Sequence, residues 1–170
     1  MLCCFNSNGD IDLNHRTNLV KKGLTVKSIP VSIQQYKTEK SIEIDVASYV
    51  GFLINSNAIK KVGYPRKEYF IFYDDTEHSI RLKKYGSILL VPSSKINHLA
   101  PIFKGSSMSD NWKIYYQYRN RLKTINDHFG GKYIIYLKFM IILKIVSSYL
   151  LGHSKYSAML KNALIDYKKL

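Results

Sequence analysis

Apolar positions fall in short β-type runs over most of the first hundred residues and in helical periods after residue 110. The chain starts on an apolar run, Met1 to Phe5, that leads into a turn at Asn8-Gly9 and has the pattern of a strand's tail. β-rich runs at Leu24–Val31 and Ser41–Val46 predict strands, with a turn at Lys22-Gly23. Ser48 to Leu53 is a further short apolar run of β-branched and aromatic character, ended by Asn55-Ser56-Asn57. Ala58 to Val62 predicts one or two helical turns, capped by Ser56 or Asn57 before and by Gly63 after, and stopped by Tyr64-Pro65. Tyr69 to Tyr73 reads as a strand of aromatic and β-branched residues that runs straight into Asp74-Asp75-Thr76-Glu77. Ile80, Leu82 and Tyr85 give the next segment a helical face closed by Gly86, and Ile88 to Pro92 predicts another strand. The expected unit is strand, acidic loop, helix, strand.

After this unit, Asp110 is placed to cap a helix from Asn111 to about His128 that is rich in aromatics and cations. Tyr133 to Leu151 is strongly apolar but carries Lys138 and Lys144, and it leads into a basic tail ending Lys168-Lys169-Leu170. The 170 residues predict one domain with a real core, and 46% hydrophobic with 22% charged residues excludes disordered and collagen-like classes. The 26 Lys and Arg against 12 Asp and Glu, with 14 Tyr, favour anionic partners: nucleic acid, an acidic leaflet or phosphorylated small molecules. Cys3 and Cys4 are adjacent, a spacing that suits neither a loop-closing disulfide nor a zinc motif, so a reducing compartment is expected. Met1 to Phe5 is too short an apolar run for a signal peptide.

The densest chemistry is Asp74-Asp75-Thr76-Glu77, followed by Arg81 and later by His98. Paired carboxylates at a strand's carboxyl end lie where open α/β sheets hold ligands, and their repulsion can raise one toward a general base. The same residues also read as a helix start, with Glu77 in a capping box and a Glu77–Arg81 pair one turn apart. His98 is either a solvated loop residue or a neutral ligand for a divalent cation held mainly by carboxylates and phosphates. Trp112, Tyr115, Tyr116 and Arg119 share one helical face, either a core-facing aromatic stripe or a surface for phosphate or stacked bases. In residues 132–170, seven lysines stand against the single Asp166. Two lysines within the apolar stretch make a spanning helix costly, at about 2.5–3.5 kcal/mol each at mid-bilayer, whereas an interfacial helix lets their stems snorkel. A helix packed on the domain is the plain alternative. Asp10-Ile11-Asp12 lacks the preceding buried strand that a metal-binding pair needs and reads as a solvated turn.

Taken in order, Tyr49 to Asn55, Ala58 to Pro65, Tyr69 to Glu77, Arg81, Gly86 and His98 resemble the acceptor-side half of family-2 inverting glycosyltransferases. The nearest branch is the rhamnosyltransferase and galactofuranosyltransferase-like one. Tyr115 to Arg121 resembles the helix after that half, and the apolar basic tail resembles a membrane-proximal C-terminus. The resemblance implies an α/β fold of the GT-A type, incomplete because the N-terminal nucleotide-binding half would precede residue 1, plus C-terminal helices. Residues 1–131 would form the partial transferase domain, and 132–170 a membrane-associated helical segment. Asp75 would be the general base, with Asp74 and Glu77 shaping the acceptor site. Gly51, Phe52, Tyr73, Arg81, Trp112 and Arg119 would contact acceptor or substrate. His98 would help hold a divalent metal, Mg2+ or Mn2+, on the sugar-nucleotide diphosphate.

The implied partners are a nucleotide-sugar donor, a glycan or lipid-linked acceptor, an anionic membrane surface at the cytoplasmic face, and a partner chain supplying the nucleotide-binding half. The activity would be inverting sugar transfer in cell-surface polysaccharide biosynthesis. The alternatives are a non-catalytic remnant and a basic aromatic nucleic-acid-binding module. The acids at Asp74 to Glu77 are unhelpful beside a polyanion, and no common RNA-binding motif is present.

Overall fold

The computed structural model describes residues 2–6, 8–38, 40–99 and 112–170. The loop expected at Ser106 to Asp110, with its cap at Asp110, lies outside the described residues. The chain is mixed α/β and divides into two compact units. The first holds Met1–Val20, Lys27–Pro65 and Asp75–Ile102, and the second Lys21–Val26, Arg66–Asp74 and Phe103–Leu170.

In the first unit, β6 (Ile88–Asn97) is the centre of a three-stranded sheet between β1 (Leu2–Phe5), parallel to it, and β4 (Ile42–Ile44), antiparallel. The opening apolar run is thus a strand, and β6 continues well past Pro92. A second sheet has the order β3 (Thr25–Pro30), β2 (Arg16–Lys22), β5 (Val46–Ala47). The short apolar run at 48–53 does not extend as a strand: pairing with β2 ends at Ala47 and the chain turns at Gly51 with φ 66°. Cys3, Ile44, Leu82, Ile88 and Leu90 meet in the core of this unit, with Val31 and Tyr36 of the short helix α1 (Ile33–Tyr36) and its approach. Helix α2 (Ser56–Val62) is capped by Asn55, whose side chain accepts from the amide of Asn57 at 2.8 Å, one residue earlier than expected. Gly63, at φ 82°, ends it in a conformation that a side chain would oppose.

The predicted strand at Tyr69 to Tyr73 does not form. Lys67–Tyr69 is a 3-10 turn, and Phe70, Phe72 and Tyr73 follow at φ 61°, 64° and 64°. Residues of high β propensity are here overridden by tertiary bonding, because Asn120 takes up the carbonyls they would offer to a sheet. Helix α3 (Asp74–Leu82) therefore starts at the first aspartate, and the acids form its first turn rather than a strand-end loop.

The second unit packs α4 (Lys113–His128), α5 (Gly131–Leu150) and α6 (Ser154–Asp166) pairwise around Leu122, Ile125, Leu137, Ile141 and Leu160. Helix α5 is apolar on both faces. Ile134, Leu137 and Ile141 point into the bundle, while Ile135, Phe139, Ile142, Val146 and Tyr149 form an exposed stripe on the opposite side. By length and composition α5 is long and apolar enough to cross a membrane. Two of its three lysines are drawn to the bundle side: Lys138 lies 5.1 Å from the Tyr167 ring centre, and the Lys144 ammonium donates to the Tyr118 hydroxyl at 2.7 Å.

Candidate functional site

Asp75 is partly buried in the first turn of α3, where unpaired helix amides favour a negative charge. Its Oδ1 accepts from the Thr76 amide at 2.6 Å and the Thr76 hydroxyl at 3.2 Å, which fixes the carboxylate plane. Asp74 precedes it as the first residue of α3, following Phe70, Phe72 and Tyr73 at positive φ. Non-glycine residues at positive φ cost on the order of 1–3 kcal/mol each and persist only where the surroundings hold them. In the second unit that hold is Asn120, fully buried, whose Nδ2 donates to the carbonyls of Tyr69 (2.7 Å), Ile71 (2.9 Å) and Phe72 (2.9 Å). The Tyr69 hydroxyl, 3.2 Å from Thr124 Oγ1, anchors the start of the segment to the same helix.

Glu77 and Arg81 form the ion pair that their spacing predicts, with Nε 2.9 Å from both carboxylate oxygens. The rest of the guanidinium donates to the carbonyls of Val62 (2.5 Å) and Tyr64 (3.0 Å), so the pair clamps the end of α2 and the turn at Pro65 onto α3. Glu77 is fully buried, and Glu77→Ala strands the Arg81 charge in a half-closed site. It is expected to cost about 3 kcal/mol, read as a lower urea midpoint at unchanged slope. Next to it, His78 is buried between the Tyr49 hydroxyl and the Gly63 carbonyl, each at 3.1 Å. Burial, reinforced by Arg81, holds its pKa below 6.5 and keeps it neutral.

Arg16 is fully buried in the first unit and donates to the carbonyls of His15 (2.7 Å) and Val50 (2.5 Å). Burial lowers its pKa, while the fields of Tyr36, Cys4, Cys3 and Asp75 favour its charge. Neither Arg16 nor Asn120 carries a sequence signal of its own; one sits in a β run and the other in a cationic helix. Gly51 is at a turn, and Phe52 lines a cleft of about 600 Å³ with Leu53, Asn55, Lys61 and Tyr85, a lining that does not include Asp75.

No family model matches the chain, and no curated protein matches it.

Trp112, expected on a shared face with Tyr115, Tyr116 and Arg119, is 52% exposed and stands edge-on to Tyr116 at 5.7 Å. Phe70, 68% exposed, adds its ring 5.3 Å from Tyr116 and 6.2 Å from Trp112. This is a surface cluster rather than a core stripe; α4 buries Ile114, Leu122 and Ile125 instead. Arg119 lies over the Tyr115 and Tyr116 rings at 5.3 and 4.9 Å, and it donates to the Glu68 carbonyl (2.6 Å) and Asn120 Oδ1 (3.0 Å). Tyr73 belongs to the strained segment itself.

His98 is brought to Cys4 and His15, and the three could hold a metal ion. A thiol and two imidazoles suit a borderline cation, whereas Mg2+ takes oxygen ligands. Asp12, expected in a solvated turn, lies beside this group with Oδ2 3.2 Å from His15 Nε2.

Proposed function

We propose that the chain is the acceptor-side part of an inverting glycosyltransferase, a partial GT-A domain that acts at the cytoplasmic face of an anionic membrane. The observation that carries the reading is the presentation of Asp75 in the first turn of α3, a helix whose start follows Phe70, Phe72 and Tyr73, all held at positive φ. A scaffold that maintains strain next to a pair of carboxylates has a use for their position.

In this reading Asp75 takes the proton of the acceptor hydroxyl as that oxygen attacks the anomeric carbon, and the sugar leaves its diphosphate with inversion. Thr76 holds the carboxylate in plane, and the Glu77–Arg81 clamp fixes the helix that carries it. The Mg2+ or Mn2+ ion that the resemblance implies would neutralise charge on the leaving diphosphate, with phosphate oxygens and carboxylates as its ligands; the thiol and second imidazole brought to His98 do not suit it there. The nucleotide-sugar donor would be bound by a nucleotide-binding half that a partner chain supplies. For the single-strand-binding alternative, Arg119 is already bonded to Glu68 and Asn120.

The test is transfer of labelled sugar from a nucleotide donor to a lipid-linked glycan, with the chain supplied within the longest reading frame that contains it. Asp75-dependent transfer supports the reading, and no transfer from any donor tried overturns it.

Membrane attachment has its own support. The exposed stripe of α5 carries no charge, and the lysine-rich segment around it favours anionic lipid. The full chain is expected to sediment with vesicles containing phosphatidylglycerol and less with phosphatidylcholine alone. A variant with Ile135, Phe139 and Val146 each changed to Asp is expected to stay in solution with its helical signal intact. Wild-type chain remaining in the supernatant with both lipids would overturn the attachment.

A further inference from the structure

Three segments far apart in sequence converge at one end of the β1–β6 pair. Cys4 is the third residue of β1 and pairs in register with Ile96 of β6. His98 follows β6 and is tied to β1 by its amide, which donates to the Phe5 carbonyl at 2.8 Å. His15 closes the 3-10 turn Leu13–His15 just before β2, and the chain leading to it is held by the Asp12 amide donating to the Cys4 carbonyl at 2.8 Å. As a result the Cys4 sulfur and one ring nitrogen from each histidine all lie within 4.8 Å of one another. The two rings meet edge to face with centres 5.1 Å apart.

We infer that Cys4, His15 and His98 form a binding site for a single Zn2+ ion, three protein ligands with a fourth position open. Around tetrahedral Zn2+, with bonds of about 2.0–2.3 Å, ligand atoms stand on the order of 3.5 Å apart, so the triad closes by about an ångström to bind. The donor chemistry selects the ion: one sulfur and two imidazoles suit Zn2+ and exclude Mg2+, which keeps oxygen ligands and water. The surroundings complete the arrangement. Ser48 Oγ lies 2.7 Å from His15 Nδ1, and in the tautomer in which Nδ1–H donates to it, Nε2 is the nitrogen left to bind the ion. Asp12 Oδ2, 3.2 Å from Nε2, adds a negative charge and an oxygen donor for the open position.

Protonation is consistent with this use. Burial lowers the His15 pKa below 6.5, so the imidazole is neutral and available to a metal. Burial raises the Cys4 thiol, with the Arg16 guanidinium pulling it back, so binding displaces one proton: thiol plus Zn2+ gives zinc thiolate plus H+ released to solvent. The Arg16 charge opposes a cation here, and the Cys4 thiolate and Asp12 carboxylate offset it. The site does not rest on sugar transfer, and its test reads metal binding alone.

The test is titration of the full chain, stripped by dialysis against chelator, with Co2+ as a spectroscopic stand-in for Zn2+. Expected are saturation at one equivalent, the strong visible bands of four-coordinate Co2+ and a thiolate-to-cobalt charge-transfer band in the near ultraviolet. Zn2+ displaces the signal and excess Mg2+ does not. Cys4→Ser abolishes the charge-transfer band, His98→Gln weakens Co2+ binding at least ~10-fold, and Cys3→Ala, whose side chain faces the other side of β1, changes neither. The inference is overturned if the wild-type chain shows no charge-transfer band at one equivalent, or if that band survives in Cys4→Ser. Should Cys4→Ser fail to fold, the wild-type spectrum and His98→Gln decide.

Discussion

Asp75→Asn lowers sugar transfer by about 10²–10⁴-fold, the range that a positioned general base contributes. The amide keeps the shape of the carboxylate and its Oδ1 can still accept from Thr76, so helix α3 is expected to start at the same place and thermal unfolding to move little. What the amide cannot do is accept the acceptor's proton. Initial rates and unfolding curves measured on the same preparations check both halves of the expectation. A variant that retains transfer removes Asp75 as the base, and one that loses transfer together with its fold leaves Asp75→Glu as the deciding comparison, because it keeps the base and shifts its reach.

Asn120→Ala is expected to cost on the order of 3 kcal/mol of stability, as much as loss of the Glu77–Arg81 pair, because one buried amide serves three carbonyls at once. Two N–H groups are shared among the carbonyls of Tyr69, Ile71 and Phe72, so removal leaves the Tyr69 carbonyl with the Ile71 amide at 2.7 Å, takes the Asn120 donor from the Ile71 carbonyl, and lets Phe72, at the surface, turn to water. With the hold gone, Phe70, Phe72 and Tyr73 relax toward ordinary backbone angles and carry Asp74 with them. Asp74 shapes the acceptor site in the proposed reading, and a misplacement of about 1 Å beside the chemistry costs about 10²-fold in rate, so transfer is expected to fall as well. Urea unfolding followed by Tyr and Trp fluorescence, paired with initial rates, reads both. Unchanged unfolding would mean that the three carbonyls do not depend on this amide.

Local pattern made several of these elements legible and missed the ones that depend on distant groups. The Glu77–Arg81 pair, Gly63 as the end of α2 and the strands at 25–30 and 42–44 follow from spacing and composition that any window shows. Tyr69 to Tyr73 has the composition of a strand, yet its backbone is settled by Asn120, about fifty positions on, and no local window contains both. The metal-ligand group was hidden for the same reason. Adjacent cysteines suggest no zinc spacing, and only the parallel pairing of β1 with β6 puts Cys4 beside His98. Lys138 and Lys144 read as charges within the apolar stretch of α5; their attachment to Tyr167 and Tyr118 follows from how three helices pack.

The bonding of residues 69–72 to a single side chain on α4 also limits how this segment can change over time. Ordinary loops drift and exchange between related chains because their conformation is written in their own residues. This one is not portable: grafted into a scaffold without an asparagine at the matching turn of a facing helix, the same nine residues from Tyr69 to Glu77 would find another backbone path. Position 120 and positions 70, 72 and 73 are therefore bound to vary together or not at all, and related chains should show them substituted as a set.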